Sequence, residues 1–327
     1  MEGDGMAILS CDPGRDLWNT VMGIFTKSLF AVPSGELYLY RYNTAEHQPN
    51  TLSRIKLLDF PEESKFHPLG IEYHKASSQL FVCNHHFEGP RVEIFTLEIT
   101  SQPPTARHTR TVISPLVRSP NAIVALNEHE IFLTNDHFFR IKDNPILAKI
   151  ETYGGVPLGS IVHIDLHSNS SATLRSVARI PYANGVALLN ASMLAVASTS
   201  SCQIRLYRVR PNKTLEFTSK IDVPFMPDNI ATDQRGALLI GGHPHPPSLE
   251  DLVKGRQACL KHPSMLRECH IGSAPSWVSE WTEENGLKTL YTTVGEFGTS
   301  SSAVRDTEFG LGLITGLYEK GILVWKE

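Results

Sequence analysis

The feature of this sequence that most constrains its fold is a repeat. A short opening, made of a polar or small residue, a small residue and an aliphatic residue, recurs along the chain. Each copy continues through a turn into a second apolar segment, which is the pattern of paired strands. Self-similarity of this kind predicts one structural unit used several times, because each unit buries its apolar face against its neighbours. The openings lie at 68–71, 120–123, 183–186, 227–230 and 301–304.

The number and spacing of these copies predict the architecture. The run 4–9 has the same opening pattern, which makes six copies and leaves about 55 of the 327 residues for each. A propeller blade of four short strands with turns needs roughly 40 to 50 residues. We therefore expect an all-β fold, a six-bladed β-propeller that occupies residues 1–327 as a single domain. Alternating segments at 92–97, 161–166 and 203–207 are expected to be outer strands.

One segment, 244–272, interrupts the repeat and is expected to be an insertion between two strands. The run 248–251 reads Ser-Leu-Glu-Asp, the spacing of a capping box, and predicts a helix with Leu249, Leu252 and Val253 on one face. Loops of this size commonly form lids or walls of active sites. A surface embellishment is the alternative, and the sequence favours neither.

The overall charge and hydrophobicity narrow the class of partner. The 30 Lys and Arg residues against 34 Asp and Glu residues give a net charge of −4, so no basic field is available for a nucleic acid backbone. No stretch approaches the roughly 20 consecutive apolar residues needed to cross a bilayer, and membrane association is not supported. With 41% hydrophobic residues the chain is expected to be globular. A small molecule is expected as its partner because of the polar residues and the resemblance described below. Oligomeric state is left open.

Cysteines and sequons bear on the compartment. The five cysteines include no CxxC spacing, and only Cys259 and Cys269 are close enough in sequence to suggest a local disulfide bond, should the compartment be oxidising. Sequons at Asn169, Asn190 and Asn212 would accept glycans in the secretory pathway. The N-terminus lacks the order of a signal peptide. The sequons favour a secretory origin, and the compartment is left undecided.

Polar residues begin the predicted inner strands. Inner strands of a propeller all start at one end of the central channel, so these residues are expected to converge. Carboxylate and amide oxygens dominate among them, and these are the ligands that calcium prefers, whereas zinc prefers His and Cys. The alternative is that Asn and Asp satisfy turn backbones at strand starts. The openings read Asp4, Leu69, Asn121, Asn184, Asp228 and Ser302, with Asn229 beside Asp228 and Asn135-Asp136 at a strand end.

Several longer strings resemble the serum paraoxonase and arylesterase family. They are 120–126 continuing through 134–139, then 182–185, and then 228–230 followed by 242–244. The resemblance extends along nearly the whole chain. It implies a six-bladed propeller with two calcium ions in its channel, and hydrolysis of lactones and aryl esters.

The resemblance also implies a set of metal ligands. A second, structural calcium would be offered Asp136 and the backbone carbonyl of Ile71, but its other carboxylate falls on Gly5. We therefore expect that second site to bind calcium weakly or not at all. The catalytic calcium would be held by Asp4, Asn135, Asn184, Asp228 and Asn229, and it would polarise the substrate carbonyl.

The resemblance places a pair of histidines as the base that activates water. One of the pair corresponds to His85, whereas the other falls on Leu69, which can neither accept nor relay a proton. His67 shares a strand face with Leu69 but lies two residues away, about 7 Å along the strand. Tyr182 and His243 are expected to line the substrate pocket with Leu69.

Three functions follow as hypotheses. The first is a calcium-dependent hydrolase of a lactone or aryl ester with His85 as its base. The second is a calcium-dependent enzyme of specialised metabolism that isomerises or cyclises a carbonyl compound, with Leu69 helping to keep water out. The third is a propeller that binds a ligand without catalysis, with calcium purely structural.

Closure of the ring is the last expectation. The resemblance implies a disulfide bond between the termini, for which this chain has no equivalent, and Trp325 lies about where a cysteine would be. We therefore expect the C-terminal strand, 321–325, to close the ring by pairing with the N-terminal blade.

Overall fold

The fold was analysed in a computed structural model that describes residues 5–42, 51–61, 65–167, 171–261 and 273–327. Strands of four to eight residues make up most of the described chain, and two α-helices accompany them. Most of the strands form antiparallel sheets in which neighbours in sequence are neighbours in space. The predicted all-β propeller fold is confirmed, and the number of blades stays a prediction.

Three sheets have the same four-stranded form, with strands hydrogen-bonded in chain order. In each sheet the first strand is the repeat opening and the second is the apolar return strand. The first sheet comprises β10 (Pro120–Ala125), β11 (Glu130–Asn135), β12 (Gly159–Asp165) and β13 (Thr173–Ile180). The next comprises β14 (Ala183–Asn190), β15 (Met193–Ser198), β16 (Gln203–Val209) and β17 (Leu215–Asp222). The third comprises β18 (Met226–Thr232), β19 (Leu238–His243), β20 (Ser276–Thr282) and β21 (Gly286–Thr293).

A seven-stranded sheet combines two repeats. Its four-stranded half runs in chain order through β6 (Pro68–His74), β7 (Gln79–Asn84), β8 (Arg91–Glu98) and β9 (Thr105–Val112). Its other half comprises β1 (Met6–Cys11), β4 (Glu36–Arg41) and β5 (Thr51–Leu58). The halves are joined by a short parallel pairing of β5 with β9, which the repeat pattern did not predict. The last repeat forms a three-stranded sheet of β22 (Ser300–Asp306), β23 (Leu311–Gly316) and β24 (Leu323–Lys326).

A small hairpin lies outside the repeats. Its strands, β2 (Trp18–Asn19) and β3 (Ile24–Phe25), pair antiparallel through a turn at residues 20–23. We refer to residues 18–25 as the hairpin.

Two α-helices occur in the described residues. The helix α1 (Pro145–Gly154) lies between β11 and β12, and the repeat pattern did not predict it. The helix α2 (Pro246–Lys261) confirms the predicted helical insertion, and Leu249, Leu252 and Val253 are buried as expected. It begins two residues before Ser248, however, so Ser248 lies inside its first turn and not at its start. Neither helix is both long and apolar enough to cross a bilayer.

The core lies between neighbouring sheets. Phe81 and Ile94 of one sheet pack with Ile131 and Ile164 of the next, and all four are at most 3% exposed. Truncation of a buried phenylalanine typically costs about 3 to 5 kcal/mol, so contacts of this kind hold neighbouring sheets in place. Each sheet therefore positions the opening of the next around the channel.

A bulge recurs at the repeat openings. The register slips between Pro120 and Ile123, and equivalent slips occur at the starts of β6, β14 and β18. Glycines allow these openings to approach one another, since a Cβ atom on Gly70 would lie 2.1 Å from the carbonyl oxygen of Asn121. A Cβ on Gly185 would lie 2.6 Å from the Cα of Asn229. The openings thus surround a central channel of about 520 Å³.

Side chains connect the first and last sheets. The hydroxyl of Tyr42 donates to a carboxylate oxygen of Asp306 at 2.7 Å, and Ala7 packs with Leu311 and Leu313. Among the described residues β24 pairs with β23. The predicted pairing of the C-terminal strand with the N-terminal blade, whose residues 1–4 lie outside the described ranges, stays a prediction.

Candidate functional site

Four polar residues begin the inner strands at one end of the channel. Within β10, β14 and β18, the strand pairing places Asn121, Asn184 and Asp228 at the same position, directly after the residue that pairs with the return strand. All three are at most 7% exposed. Asn229 follows Asp228 and lines the channel. We refer to Asn121, Asn184, Asp228 and Asn229 as the channel-top residues.

Their hydrogen bonds leave oxygen atoms available. The amide of Asn184 donates to the Thr199 hydroxyl at 3.0 Å, while its Oδ1 atom is buried without a hydrogen-bond partner. One carboxylate oxygen of Asp228 lies 3.1 Å from Nε2 of His243. The amide of Asn121 donates to Asp136 at 3.2 Å. An unpartnered buried oxygen is costly, so this atom is available to an ion, a ligand or a water molecule.

Asn135 is not brought together with the channel-top residues. Its Oδ1 accepts from the backbone amides of Arg118 and Ser119 at 2.9 and 3.1 Å. Its Nδ2 donates to the Leu116 carbonyl and the Ser160 hydroxyl. Both lone pairs of the amide oxygen are therefore occupied, and the residue pins the loop before β10. The residue of this sheet that occupies the same strand position as Asn184 and Asp228 is Asn121.

The donor chemistry of the channel top fits calcium in part. Asn184, Asp228 and Asn229 offer amide and carboxylate oxygens, and Asp228 supplies negative charge. Among the described residues no three His, Cys, Asp or Glu side chains converge as a metal cluster, so amide oxygens are essential to the fit. The remaining predicted ligand, Asp4, lies outside the described residues.

The two residues predicted for a second calcium line different cavities. Ile71 lines the channel, whereas Asp136 lines a separate cavity above it. Both carboxylate oxygens of Asp136 already have partners, Nδ2 of Asn121 and Nδ1 of His137. Gly5 has a positive φ of 65° and carries no ligand atom beyond its backbone. The predicted weakness of this second site stays a prediction.

A partly open cavity of about 160 Å³, which we call the upper cavity, lies near Asn121, whose amide is bound to the lining residue Asp136. Its lining includes several polar groups, among them His85, Asp136 and Thr20 on the turn of the hairpin. Further polar and charged side chains in the lining are His86, Glu88, Arg118, Ser119, His137, Arg140, Lys142 and Asp143. Its apolar walls are formed by Trp18, Val21, Phe25, Phe87, Phe139 and Ile141.

His85 is held by contacts at both ring nitrogens. Its Nε2 atom lies 2.6 Å from the carbonyl oxygen of Pro120, and its Nδ1 atom is in short hydrogen-bond contact with the Thr20 hydroxyl. A carbonyl only accepts, so the proton resides on Nε2, and Nδ1 carries the lone pair. Burial lowers the pKa of His85 from its ordinary value of 6.5, and the imidazole is neutral at pH 7.

The hairpin is anchored directly to His85. The indole nitrogen of Trp18 donates to the backbone carbonyl of His85 at 2.7 Å. The Trp18 ring also makes edge contacts with Phe25 and Phe87, at centroid distances of 5.3 and 4.8 Å. Sequence reasoning missed Trp18 and Thr20, because the hairpin belongs to no repeat copy and its strands are too short for a readable alternation.

Asp136 forms a buried pair with His137, another residue that sequence reasoning did not select. Its Oδ1 atom lies 2.9 Å from Nδ1 of His137. Burial alone would lower the pKa of His137, but the Asp136 carboxylate more than compensates and the pKa is raised. Burial would raise the pKa of Asp136, and His137 lowers it instead. Each group thus favours the charged form of the other, and their adjacency in sequence was the available signal.

Leu69 and His67 do not meet the needs of a second base. Leu69 is half-buried, lines the channel and packs against the core between sheets, while its carbonyl accepts from Ser10. His67 is 1% exposed and pairs with Asp12 at 3.2 Å. Its Nε2 atom is buried without a hydrogen-bond partner, and the ring does not line the upper cavity. His85 and its neighbour His86 are thus the histidines of the described residues that reach the cavity from this sheet.

Tyr182 and His243 lie near the channel top. The Tyr182 ring is 4.5 Å from that of His137, at a backbone φ of 45°, and burial raises its pKa well above the ordinary value. His243 contacts Asp228 through Nε2, and its Nδ1 is buried without a partner. Neither side chain lines the upper cavity. They surround the channel-top residues instead.

The helix α2 packs beside the hairpin. Its buried Leu249 and Leu252 contact Met22 of the hairpin turn. The Arg256 guanidinium binds both carboxylate oxygens of Asp16, two residues before the hairpin. The insertion therefore supports the structure over the upper cavity. The predicted disulfide partner Cys269 lies outside the described residues.

Solved structures with related architecture were found. A putative 6-phosphogluconolactonase from Bacteroides fragilis has a TM-score of 0.52 at 12% identity and covers all of this chain and 79% of that chain. A putative gluconolactonase has a TM-score of 0.51 at 15% identity and covers 97% of this chain and 91% of that chain. At such identities the likeness concerns the fold alone.

Sequence relatives share one family name. Human serum paraoxonase/arylesterase 1 is 28% identical over 255 residues, which cover 69% of each chain. Serum paraoxonase/arylesterase 2 of Canis lupus familiaris is 28% identical over 188 residues, covering 56% of this chain and half of the relative. The matches thus span between about half and two thirds of the relatives' lengths. A family model described as arylesterase matches residues 23–256, and this chain belongs to the arylesterase family.

Proposed function

We propose that this protein hydrolyses a lactone or an aryl ester in the upper cavity, with His85 as the base. The observation that carries the proposal is the state of His85, a neutral imidazole that lines the upper cavity with its Nδ1 lone pair next to the Thr20 hydroxyl on the cavity wall. A general base needs this combination of protonation state and reach. Family membership supports ester chemistry, since relatives are named arylesterase and lactonase.

The walls of the upper cavity favour such substrates. Trp18, Phe25 and Phe87 form an aromatic surface suited to an aryl group or an apolar lactone ring. The guanidinium of Arg118 and the ammonium of Lys142 also line the cavity. The carboxylates of Glu88, Asp136 and Asp143 line the same cavity, so a basic group would favour a developing oxyanion only where it lies directly beside it.

We extend the proposal to calcium at the channel top. Asn184, Asp228 and Asn229 would hold the ion, with Asn121 at the equivalent position in the preceding sheet. Calcium, when bound, supplies positive charge that stabilises a developing oxyanion. The buried, unpartnered Oδ1 of Asn184 supports this assignment. The Asp228 carboxylate would in turn be oriented by His243.

A single domain of six blades is part of the same proposal. The first and last sheets contact each other through Tyr42 and Asp306, which supports a closed ring. The three-stranded half formed by β1, β4 and β5 would then be one blade and the sheet of β22 to β24 another. A closed ring keeps the channel-top residues of different sheets at fixed separations.

Hydrolysis of three substrates tests the function: phenyl acetate, a δ-lactone and a long-chain lactone, each with calcium and with a chelator. We expect turnover of at least one of them, sensitive to chelator, and a loss of about a hundredfold or more in kcat/KM for His85→Gln. The exposed His167 provides the matched control, as His167→Gln changes a histidine far from the cavity. Calcium binding without turnover would instead favour isomerisation or cyclisation, the chemistry that Leu69 suggests.

A thermal-shift measurement tests the calcium site without relying on activity. We expect calcium to raise the Tm of the native protein and to raise that of Asp228→Asn much less, because the variant removes the negative charge of the site. Asp251→Asn, an exposed position on α2, is the control and should keep the full shift. An equal shift in Asp228→Asn would place calcium elsewhere.

A further inference from the structure

The charges that line the upper cavity do not balance. Among the described residues of the lining, each of the three carboxylates has a basic partner within the protein. The pairs are Asp136 with His137 at 2.9 Å, Glu88 with Lys65 at 3.2 Å, and Asp143 with Arg140 at 2.7 Å. Two further basic residues in the lining, Arg118 and Lys142, form no ion pair with a carboxylate of the described chain. The cavity therefore presents two positive charges that remain available to a ligand.

Arg118 is held in a fixed position. Its guanidinium carbon lies 4.1 Å from the centroid of the Phe138 ring. The backbone amide of Arg118 donates to Asn135 at 2.9 Å, and the amide of Phe138 donates to Glu151 at 2.8 Å. Stacking covers one face of the guanidinium and leaves the N–H groups at its edge to bind a ligand. A guanidinium that is already ordered loses little conformational entropy when it binds an anion.

Lys142 is connected to the proposed base through one side chain. Its ammonium lies 5.3 Å from the centroid of the Trp18 ring. The indole nitrogen of the same Trp18 donates to the backbone carbonyl of His85 at 2.7 Å. All three residues line the upper cavity. A substrate that lies along the Trp18 wall can therefore reach both the cation and the base.

Both cations are exposed, which places them at the opening of the partly open cavity. An exposed Lys or Arg is ordinarily a solvated surface charge that adopts many conformations. Here each cation instead lies over an aromatic ring beside the cavity. This position suits the charged end of a substrate whose apolar part contacts the aromatic walls.

We propose that the substrate is an aryl ester or lactone that carries a carboxylate group, which Arg118 and Lys142 bind at the opening of the upper cavity. The planar fork of the guanidinium matches a carboxylate in bidentate geometry, and the ammonium adds a point charge. Arg118 and Lys142 are then the residues that determine specificity. This inference rests on the proposed hydrolase function and narrows its substrate class.

Two aryl esters that differ in one charged group test this proposal. 4-Acetoxybenzoate carries a carboxylate opposite the ester, whereas 4-acetoxybenzamide has a similar shape and no charge. We expect kcat/KM of the native protein to be at least about tenfold higher for the carboxylate, because hydrogen bonds between charged groups are the stronger ones. The effect should decrease in 1 M NaCl, which screens exposed charges.

Variants of the two cations assign this preference to residues. Arg118→Gln should lower the ratio of the two kcat/KM values at least about fivefold, and Lys142→Gln at least about twofold, because Lys142 supplies charge without the fork. Arg118→Lys keeps the charge and should retain part of the preference. Arg208→Gln is the matched control, since Arg208 is exposed on β16 and lines neither the upper cavity nor the channel. It should keep the native ratio.

Binding of the reaction products gives a measurement that needs no turnover. Isothermal titration calorimetry compares 4-hydroxybenzoate with 4-hydroxybenzamide. We expect the native protein to bind 4-hydroxybenzoate more tightly, and Arg118→Gln to bind the two compounds alike. Urea unfolding of each variant excludes loss of the fold as the cause of a lost preference.

The two measurements separate this proposal from the proposed function. Hydrolysis of both esters with the same ratio in the native protein and in Arg118→Gln would overturn the carboxylate site and leave the hydrolase function standing. Tighter binding of 4-hydroxybenzoate without hydrolysis of any ester or lactone would support the carboxylate site and overturn the hydrolase function. Absence of both the binding preference and hydrolysis would overturn both.

Discussion

The Nε2 atom of His85 lies 2.6 Å from the carbonyl oxygen of Pro120, a contact between the end of β7 and the start of the next sheet. The partner fixes which nitrogen carries the proton, because a carbonyl can only accept. It also ties the orientation of the ring to the bulge that begins at Pro120. The packing of two neighbouring sheets therefore sets the tautomer of the proposed base.

The pH dependence of activity should reflect this environment. Burial lowers the pKa of His85 below 6.5, so its neutral form persists to lower pH than that of a free histidine. We expect kcat/KM for phenyl acetate to fall on the acid side with a midpoint below pH 6.5. A midpoint above 6.5 attributable to His85 would contradict the tautomer and burial described here.

The same shift has a consequence for stability with a defined sign. The folded protein protonates His85 less readily than the unfolded chain does. The contribution of neutral His85 to the free energy of unfolding is therefore present above pH 6.5 and is lost as the pH falls below that value, because the unfolded chain then binds the proton first. Urea unfolding of the native protein and His85→Gln at several pH values measures the effect. The difference in unfolding free energy between the native protein and His85→Gln should shrink or change sign towards low pH. A difference that stays constant with pH would contradict the lowered pKa of His85.

Trp18→Phe should impair activity more than stability. It removes the hydrogen bond to the His85 carbonyl, worth about 1 kcal/mol, and loosens the turn that carries Thr20. A displacement of about 1 Å at a reacting group can reduce a rate a hundredfold, so we expect kcat/KM to fall at least about tenfold.

The control for this variant is Trp277→Phe, which also loses an indole hydrogen bond, to Ser279 at 3.2 Å, in a different sheet. Urea unfolding should show similar losses of stability in Trp18→Phe and Trp277→Phe. Phenyl acetate kinetics should show a loss of activity in Trp18→Phe alone. Equal activity in the two variants would show that the hairpin does not contribute to the active site.

Much of the fold could be predicted because the same sequence pattern recurs in each structural unit. Apolar return strands such as β15 and openings such as β14 recur with one pattern, and the period identifies a propeller. The helix α1 was missed although Pro145 begins it and Gly155 follows it at a φ of 64°, both ordinary boundary signals. The parallel pairing of β5 with β9 joins strands distant in sequence, and no local pattern specifies such a contact.

The site was predictable to a smaller extent. His85 was selected and does line a cavity, but its partner Thr20 is 65 residues away on a hairpin with no periodic pattern. The choice between Asn121 and Asn135 depends on the bulge after Pro120, which decides which amide reaches the channel top. A shift of one residue reverses the face of a strand, and sequence alternation alone does not locate the bulge.

Glu151→Gln should destabilise the wall of the upper cavity. The buried Glu151 carboxylate on α1 accepts from the backbone amides of Phe138 and Phe139 at 2.8 and 3.0 Å. An amide at this position turns one acceptor into a donor that faces another donor, at a cost of about 1 to 3 kcal/mol. Urea unfolding should show this loss, and the exposed Glu284→Gln should not. Equal stability of the two variants would show that the hydrogen bonds from Phe138 and Phe139 to Glu151 do not stabilise the fold.

Leu69→His tests whether a second base can act beside the channel top. Leu69 is half-buried, lines the channel and follows Pro68 as Asn121 follows Pro120, so an imidazole at this position would lie in the channel beside the channel-top residues at a modest cost in packing. General base catalysis typically contributes about 10²- to 10⁴-fold, and we expect lactone hydrolysis to rise by at least about tenfold. Leu69→Gln is the matched control, since it is polar and of similar length but lacks a basic nitrogen. A similar rise in both variants would attribute the effect to polarity. If neither variant hydrolyses lactones faster than the native protein, a base at position 69 does not promote hydrolysis, and a non-hydrolytic reaction is favoured.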